Sequence, residues 1–385
     1  MKVLVVDDSI LFRRVMAEVL AALPDVEVIG QAANGKLALQ KIQDLHPDLV
    51  TLDMEMPEMD GLAVLDALKA MKSTTTVIVV SALTKLGGKL TMQALQKGAF
   101  DFITKPDAGS AEQSRESLRA DLAPRIRALS LRFGVRNILR ATTSTTPAAA
   151  PVRAPVAPAS VSARPVSAAS TASAAPTTDV AQRMSRLAGT SKPELVLIGV
   201  STGGPNALAV VLPMLPKNLG VPVLIVQHMP PLFTQSLAEN LAGKCALQVR
   251  EAAHEEVLAP NTVYIAPGGR QMRLVPGVGG AKTLQITDDP PENNCRPAVD
   301  YLFRSVANNY PGRSVGVILT GMGSDGTLGL RLLKRQGCFV ISQDEATCVV
   351  YGMPKAAVDA GVVDVVLPLD AIAGRITTAV REGSA

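Results

Sequence analysis

The sequence predicts an α/β protein with two doubly wound parallel-sheet domains, the second larger than the first, joined by a disordered linker. Short apolar runs alternate with amphipathic stretches in both halves, the pattern of a parallel sheet covered by helices. A segment rich in Ala, Pro, Ser and Thr separates the halves. Because 385 residues exceed the roughly 100–200 residues of one domain, we expect domains at 1–130 and 191–385 and a linker at 134–190.

The amino-acid composition is that of a protein with aliphatic cores and free thiols, and it argues against a secreted or membrane-spanning protein. Hydrophobic residues make up 47% of the chain, yet only 3% is aromatic and Trp is absent, so aliphatic side chains and Met must build the cores. The four cysteines are far apart, as expected for free thiols in a reducing compartment. Asp7 and Asp8 interrupt the first apolar run, which argues against a signal peptide, and no apolar stretch approaches the ~20 residues that span a bilayer. We expect a cytoplasmic protein without direct membrane insertion.

The charge distribution argues against a nucleic-acid partner. The net charge is +4, but residues 134–192 hold seven basic groups and one acidic group. The remainder of the chain is therefore mildly acidic, and the second half shows no helix-turn-helix pattern.

The first domain is predicted to contain five parallel strands with helices between them. The strands are expected at 2–6, 26–32, 48–52, 76–80 and 100–103, and the first two helices at 10–22 and 35–45. Right-handed crossovers bring the carboxyl ends of such strands to one edge of the sheet.

Five polar residues follow these strands: Asp7, Asp8, Asp53, Ser81 and Lys105. Three neighbouring carboxylates repel one another and favour a hard cation with oxygen ligands, for which Mg²⁺ is the natural choice. A lysine and a hydroxyl beside them would hold phosphoryl oxygens. The pattern predicts phosphoryl transfer to Asp53. One acidic residue after a strand is more simply explained as a solvated loop residue. Five polar residues that follow the strands in this order favour a phosphoryl-binding site.

The motifs Val-Val-Asp-Asp-Ser, Leu-Asp-Met-Glu-Met-Pro-Glu-Met-Asp-Gly and Thr-Lys-Pro resemble those of response-regulator receiver domains. The resemblance implies that Asp53 is phosphorylated by a sensor histidine kinase. It implies a Mg²⁺ site, two phosphoryl contacts and an aromatic switch: Asp8, Asp53 and the Glu55 carbonyl on the metal, with Asp7 acting through water; Ser81 and Lys105 on the phosphoryl group; Phe102 as the switch.

The linker lacks the composition of a folded segment. Residues 141–180 contain no aromatic residue, no Leu and no Ile, so they cannot bury enough apolar area to offset their ordering entropy. A flexible coil of this length spans on the order of 35 Å. Its arginines could bind an acidic surface, although scattered charges more simply keep such a segment solvated.

The second domain repeats the alternating pattern. Strands are predicted at 195–198, 221–226, 262–266, 314–319, 338–342 and 362–367, with helices that include 232–241, 298–308 and 327–336. Ser201, His228 and Asp325 each follow a different strand, so they can meet at one sheet edge as nucleophile, general base and orienting carboxylate.

Backbone N–H groups would have to stabilise the oxyanion, and the candidates are those of Met322, Gly323, Thr202 and His228. Taken singly, the glycine turn at 199–204 could bind phosphate or be merely structural, and His228 could be a structural histidine. We expect His46 in a loop and His254 on the surface. The 199–203 stretch matches the Gly-x-Ser-x-Gly elbow, but the order Ser, His, Asp differs from that of α/β-hydrolases.

The motifs Gly-Val-Ser-Thr-Gly-Gly-Pro, Val-Gln-His-Met-Pro, Tyr-Ile-Ala-Pro-Gly-Gly and Leu-Thr-Gly-Met-Gly-Ser-Asp-Gly resemble those of the chemotaxis protein-glutamate methylesterases, the CheB family. The resemblance implies a Rossmann-like hydrolytic domain without a cofactor, with Ser201, His228 and Asp325 as catalytic residues. It implies glutamate γ-methyl esters of chemoreceptors as substrates, deamidation of receptor glutamines, and a monomer whose unphosphorylated receiver covers the cleft. The chain departs from many relatives at residues 269–272.

Two alternatives stay open. The protein could be a receiver-regulated hydrolase of another ester or amide, or a response regulator whose output domain only binds a partner in a signalling array outside chemotaxis. The intact set of Ser201, His228 and Asp325 favours an enzyme.

Overall fold

A computed structural model describes the backbone of residues 1–106, 110–143 and 192–382. Residues 1–128 and the described part of the chain from 192 onward pack as one compact unit. None of the helices in these ranges is both long enough and apolar enough to cross a membrane.

The first domain is a five-stranded parallel sheet with strand order β2-β1-β3-β4-β5. Its strands are β1 Lys2–Val6, β2 Glu27–Ala32, β3 Leu49–Asp53, β4 Thr76–Ser81 and β5 Asp101–Thr104. Its helices are α1 Ile10–Ala21, α2 Gly35–Leu45, α3 Gly61–Ala70, α4 Lys85–Gln96 and α5 Ala111–Thr143. Each prediction for a strand of this domain is matched within two residues.

Side-chain caps start the first four helices at the carboxyl edge of this sheet. The caps are Ser9, Asn34, Asp60 and Thr84, and each side chain accepts a hydrogen bond from the backbone N–H three residues further on. Such a cap satisfies one of the N–H groups that the first helical turn leaves unpaired. The caps therefore fix where each loop ends and each helix begins beside the acidic residues.

Helix α5 is longer than the sequence indicated. It extends to Thr143, so residues 134–143, which were assigned to the linker, are helical. The predicted disorder of the rest of the linker falls on residues 144–191, which lie outside the described ranges.

The second domain is a seven-stranded, all-parallel sheet with strand order β14-β13-β12-β6-β7-β9-β8, accompanied by the antiparallel hairpin β10–β11. Its strands are β6 Leu195–Val200, β7 Val223–Gln227, β8 Gln248–Glu251, β9 Thr262–Ile265, β10 Gln271–Pro276, β11 Lys282–Thr287, β12 Ser314–Ile318, β13 Phe339–Gln343 and β14 Val365–Leu367. Its helices are α6 Gly204–Val211, α7 Phe233–Ala242, α8 Val299–Asn309, α9 Thr327–Arg335, α10 Met353–Asp359 and α11 Leu369–Glu382.

The predicted fold class, two α/β parallel-sheet domains, is confirmed. The central strands β6, β7 and β12 are buried along their whole length, which explains why they read as uninterrupted apolar runs. Strand β8 and the hairpin β10–β11 were not predicted. They are partly exposed and contain charged residues, so their sequences lack such a run.

The central strand β6 contributes buried side chains to the core of the second domain. We expect Leu197→Ala to lower the free energy of unfolding by about 2–5 kcal/mol, because Leu197 is fully buried and its removal leaves a cavity. Leu328→Ala is the matched control: this side chain is 55% exposed, and its loss should change stability by about 0.5 kcal/mol or less. Urea unfolding followed by circular dichroism measures both, and equal midpoints would contradict the assignment of β6 as core.

Candidate active site

The strand register places Ser201 between two neighbours at the carboxyl edge of the second sheet. Val200 pairs with Gln227, and Gly199 pairs with Ile318 on the other side. Ser201 therefore lies beside His228, since adjacent strands run about 4.8 Å apart. The backbone fixes this position: Ser201 N donates to Thr320 O at 3.0 Å, and Gln227 Nε2 donates to Ser201 O at 3.0 Å.

His228 and Asp325 are hydrogen-bonded, with 2.8 Å between Nε2 and Oδ2. Asp325 is 3% exposed. Four N–H groups also donate to its oxygens: Val299 N at 2.7 Å, Asn293 Nδ2 at 2.9 Å, and Asp300 N and Gly326 N at 3.0 Å each. Burial alone would raise the pKa of this carboxyl, but His228 and the backbone donors outweigh burial and lower the pKa. Asp325 therefore stays ionised.

The imidazole of His228 is held in one orientation. Because Nε2 faces Asp325, the other nitrogen, Nδ1, points away from the carboxylate and lies 3.6 Å from Cys295 Sγ. Burial would lower the pKa of His228, but Asp325 and Cys295 raise it to about 9. Nδ1 is therefore the ring nitrogen available to exchange a proton with a neighbouring group.

Ser201 and His228 are neighbours in the structure, but their side chains are not hydrogen-bonded. Within the described residues, Ser201 Oγ makes no hydrogen bond, so the expected bond between nucleophile and base is not formed here. Catalytic hydrogen bonds commonly tighten only when substrate binds.

A glycine-rich loop after β12 closes against Ser201. A Cβ atom on Gly321 would lie 2.8 Å from Ser201 Cβ and 2.3 Å from Met353 Sδ, so only glycine fits there. In the described ranges, the backbone N–H groups of Met322, Gly323 and Thr202 donate to no atom. They remain candidates for an oxyanion site. The N–H of His228 is not a candidate, because it donates to Val200 O at 3.2 Å.

The sequence analysis missed a second buried carboxylate and the residue that joins it to the first. Asp300 is 1% exposed, and both burial and repulsion by Asp325 raise its pKa. Asn293 Nδ2 donates to Asp300 Oδ2 at 3.0 Å and to Asp325 Oδ1 at 2.9 Å. Asn293 therefore relieves the repulsion between two carboxylates. Its position in the polar loop that precedes α8 was the only available signal.

The departure at residues 269–272 has a structural role. Gln271 is fully buried, and its Oε1 accepts a hydrogen bond from Ala298 N at 2.9 Å. Its Nε2 donates to Pro290 O at 3.1 Å and to Cys295 O at 3.3 Å. Gln271 thus anchors the loop that carries Asn293 and Cys295.

A second cluster lies at the carboxyl edge of the first sheet. Lys105 Nζ lies 2.7 Å from Asp53 Oδ2 and 2.8 Å from Asp7 Oδ2. Burial and the charge of Asp7 raise the pKa of Asp53 to about 6, although Lys105 opposes the shift. Asp8 is exposed, and carboxylate oxygens of all three aspartates lie within 4.8 Å of one another.

The other residues predicted for this cluster surround it. Lys105 N donates to Ser81 O at 2.8 Å, which joins the ends of β4 and β5. Ser81 Oγ donates to Gly87 O at 3.2 Å. Glu55 N lies 3.4 Å from Asp53 Oδ1.

Phe102 lies where the two domains touch. Its ring stacks on Phe233 of α7, with centroids 4.9 Å apart and planes 3° from parallel. Polar contacts flank the stack: Thr202 Oγ1 donates to Asp101 Oδ2 at 3.1 Å, and Asn206 Nδ2 donates to Leu95 O at 3.0 Å. The first domain thus contacts the residue that follows Ser201.

The other two histidines lie where the sequence analysis expected them. His46 ends α2 in a left-handed conformation and is exposed. His254 keeps 53% of its side chain exposed.

Family matches and whole-length relatives agree with this architecture. Residues 3–113 match the response regulator receiver domain, and residues 196–376 match the family described as CheB methylesterase. A protein from Desulfotalea psychrophila named protein-glutamate methylesterase/protein-glutamine glutaminase is 46% identical, and the alignment covers 99% of both chains. A protein of the same name from Nocardioides sp. is 42% identical, over 96% of this chain and 92% of the relative. The crystal structure of the Thermotoga maritima CheB methylesterase catalytic domain is 43% identical and covers 49% of this chain and 98% of that chain, with a TM-score of 0.47.

The fold and the receiver match define a response regulator whose output domain is a second, larger α/β domain. The whole-length similarity then makes the assignment specific. The chain belongs to the CheB methylesterase family.

Asn293 is expected to stabilise the pair of buried carboxylates. Asn293→Ala should lower the free energy of unfolding by about 1–3 kcal/mol, because Asp300 and Asp325 each lose a buried hydrogen-bond donor. Asn294→Ala is the control, since Asn294 shares the left-handed backbone but bonds neither carboxylate. Thermal unfolding of both variants measures the difference, and equal losses would show that backbone strain alone is responsible.

Proposed function

We propose that the protein is a phosphorylation-activated hydrolase that removes methyl groups from glutamate γ-methyl esters of chemoreceptors by a Ser-His-Asp mechanism. The observation that carries the proposal is the His228–Asp325 pair, which lies beside Ser201 across two paired strands. The printed names of the whole-length relatives support the choice of substrate.

In the proposed reaction the neutral form of His228 acts as the base, and this form becomes the major one above a pH of about 9. Ser201 Oγ adds to the ester carbonyl carbon and its proton passes to His228 Nδ1. Asp325 stabilises the imidazolium through Nε2. The unpaired N–H groups of Met322 and Gly323 stabilise the oxyanion. His228 then gives the proton to the leaving methoxide, which departs as methanol. Water hydrolyses the acyl-enzyme by the same route, which regenerates Ser201 and leaves a glutamate carboxylate.

The same steps serve deamidation, with ammonia as the leaving group in place of methanol. A receptor glutamine presents a carbonyl at the same distance from its backbone as a glutamate methyl ester does. The relatives carry both activities in their names, and we extend both to this chain.

The first domain would receive the phosphoryl group on Asp53 from a sensor histidine kinase. The residues fit a Mg²⁺ ion: carboxylate oxygens of three aspartates converge, and Lys105 Nζ, 2.8 Å from the buried oxygen Asp7 Oδ2, supplies the positive charge there in this structure. Asp7, Asp8 and Asp53, with the Glu55 carbonyl, would hold the ion, which supplies positive charge for phosphoryl transfer. Lys105 and Ser81 would bind the phosphoryl oxygens.

The contact between the domains supports control by phosphorylation. Strand β5 carries Asp101 and Phe102, which contact Thr202 and Phe233, and it leads directly to Lys105. A phosphoryl group that draws Lys105 away from Asp53 would move this strand and weaken the contact. The population then shifts toward an open form in which receptor helices reach Ser201. We place this activity in a cytoplasmic monomer that has no nucleic-acid partner.

The serine is the most direct test. Ser201→Ala should lower the rate of methanol release from methylated receptor by at least about 10⁴-fold, because the hydroxyl that adds to the ester carbonyl is removed. Ser324→Ala, an exposed serine at the same edge of the sheet, should keep the wild-type rate. Retention of activity by Ser201→Ala, with an unchanged circular dichroism spectrum, would refute the mechanism.

The regulation is tested by separating the domains. A fragment of residues 192–385 should release methanol several-fold faster than the unphosphorylated full chain, since the first domain no longer contacts α7 and Thr202. A small phosphodonor should raise the rate of the full chain but not that of Asp53→Asn. If the fragment were no faster than the unphosphorylated full chain, the inhibitory contact would be disproved.

A further inference from the structure

Cys295 stands at the nitrogen of His228 that Asp325 leaves free. Its Sγ is hydrogen-bonded to His228 Nδ1 at 3.6 Å, and none of the proposed catalytic steps uses the thiol. The pair is partly open to solvent: the His228 side chain is 14% exposed, and Cys295 is intermediate in burial.

We propose that His228 Nδ1 and Cys295 Sγ form a binding site for Zn²⁺ that reversibly blocks the esterase. In a tetrahedral zinc site, nitrogen lies about 2.05 Å and sulfur about 2.3 Å from the metal, so adjacent N and S ligands are about 3.6 Å apart. The observed separation already equals this value. Thiolate and imidazole are also the ligand types that favour zinc.

The surroundings hold both ligands in place. Cys295 O accepts a hydrogen bond from the buried Gln271, and the backbone of Cys295 bonds in both directions to Glu292. His228 is fixed through Nε2 by Asp325, and a carboxylate on the second ring nitrogen is the usual support of a metal-binding histidine. The site therefore needs little rearrangement to bind a metal.

Asp325 supports the site and is not itself a ligand. A carboxylate oxygen of Asp325 lies within 4.8 Å of the His228 and Cys295 ligand atoms. Its two oxygens, however, are already engaged by His228 and four N–H donors. Water would fill the remaining positions around the metal.

The two candidate metal clusters among the described residues differ in chemistry. Asp7, Asp8 and Asp53 offer only oxygen, which suits hard Mg²⁺, whereas the His228–Cys295 pair offers nitrogen and sulfur. Zn²⁺ should therefore bind to the His228–Cys295 pair of the second domain, and Mg²⁺ should not bind there. The inhibitory effect rests on the proposed function, because a metal on Nδ1 takes the lone pair that accepts the Ser201 proton. The binding itself does not depend on the reaction.

Cobalt reports on the site without an activity assay. We expect one equivalent of Co²⁺, added to the untagged full chain, to produce a thiolate-to-cobalt charge-transfer band and the visible bands of a tetrahedral ion, and Zn²⁺ to abolish both. Cys295→Ser should lack the charge-transfer band, whereas Cys245→Ser, a control thiol that follows α7, should keep it. The same band in Cys295→Ser would overturn the proposal.

The effect on turnover is measured with each variant compared to its own zinc-free rate. Zn²⁺ should inhibit methanol release by the wild type, EDTA should restore the rate, and excess Mg²⁺ should not. In Cys295→Ser, the zinc concentration for half-inhibition should rise by at least about tenfold. Mutation of a residue that only hydrogen-bonds a metal ligand already lowers metal affinity about 10–100-fold, and loss of a ligand itself should lower it at least as much. Equal zinc sensitivity in the two proteins would overturn the inhibitory role.

Ser201→Ala separates the two proposals. If it releases no methanol and still gives the cobalt bands, both hold. If it releases methanol at the wild-type rate while the cobalt bands depend on Cys295, the triad fails and the metal site stands. If it is inactive and the bands are absent from the wild type, the metal site fails and the triad stands.

Discussion

The hydrogen bond between His228 Nε2 and Asp325 Oδ2 is the interaction on which the second domain's site depends. A buried carboxylate is costly unless its oxygens are satisfied, and here three backbone N–H groups and one amide satisfy them together with the imidazole. These donors come from the start of α8, from the loop before it and from the start of α9. The packing of two helices at the sheet edge therefore determines the charge of Asp325 and, through it, the direction in which Nδ1 of His228 points.

Strand β5 and helix α4 both contact the second domain, and β5 also leads to the acidic cluster of the first domain. Strand β5 begins with Asp101 and Phe102, which contact the second domain, and Lys105 follows its end, beside Asp53. Asp53 therefore contacts the residue that follows one end of β5, and the other end of β5 contacts Thr202, the residue after Ser201. Because β5 is buried and paired with β4, it would transmit a displacement as a rigid element in the regulation that we propose.

Much of this arrangement could be predicted from the sequence. The buried strands could be found because they are uninterrupted apolar runs, and their ends located Ser201, His228, Asp325 and Asp53. Other features depend on contacts between segments far apart in the chain. Asn293 and Cys295 lie in a loop that Gln271, distant in the chain, anchors beside the site. The stacking of Phe102 on Phe233 depends on how two domains pack. The edge strand β8 alternates between partly exposed and exposed residues and lacks an apolar run.

The central claim is that His228, held by Asp325, activates Ser201. The most direct measurement is intact-protein and peptide mass spectrometry after treatment with a fluorophosphonate, which labels an activated serine covalently. The account predicts a single adduct on Ser201 in the fragment 192–385, and loss of that adduct in His228→Gln. Labelling of another residue, or equally fast labelling of Ser201 in His228→Gln, would contradict it.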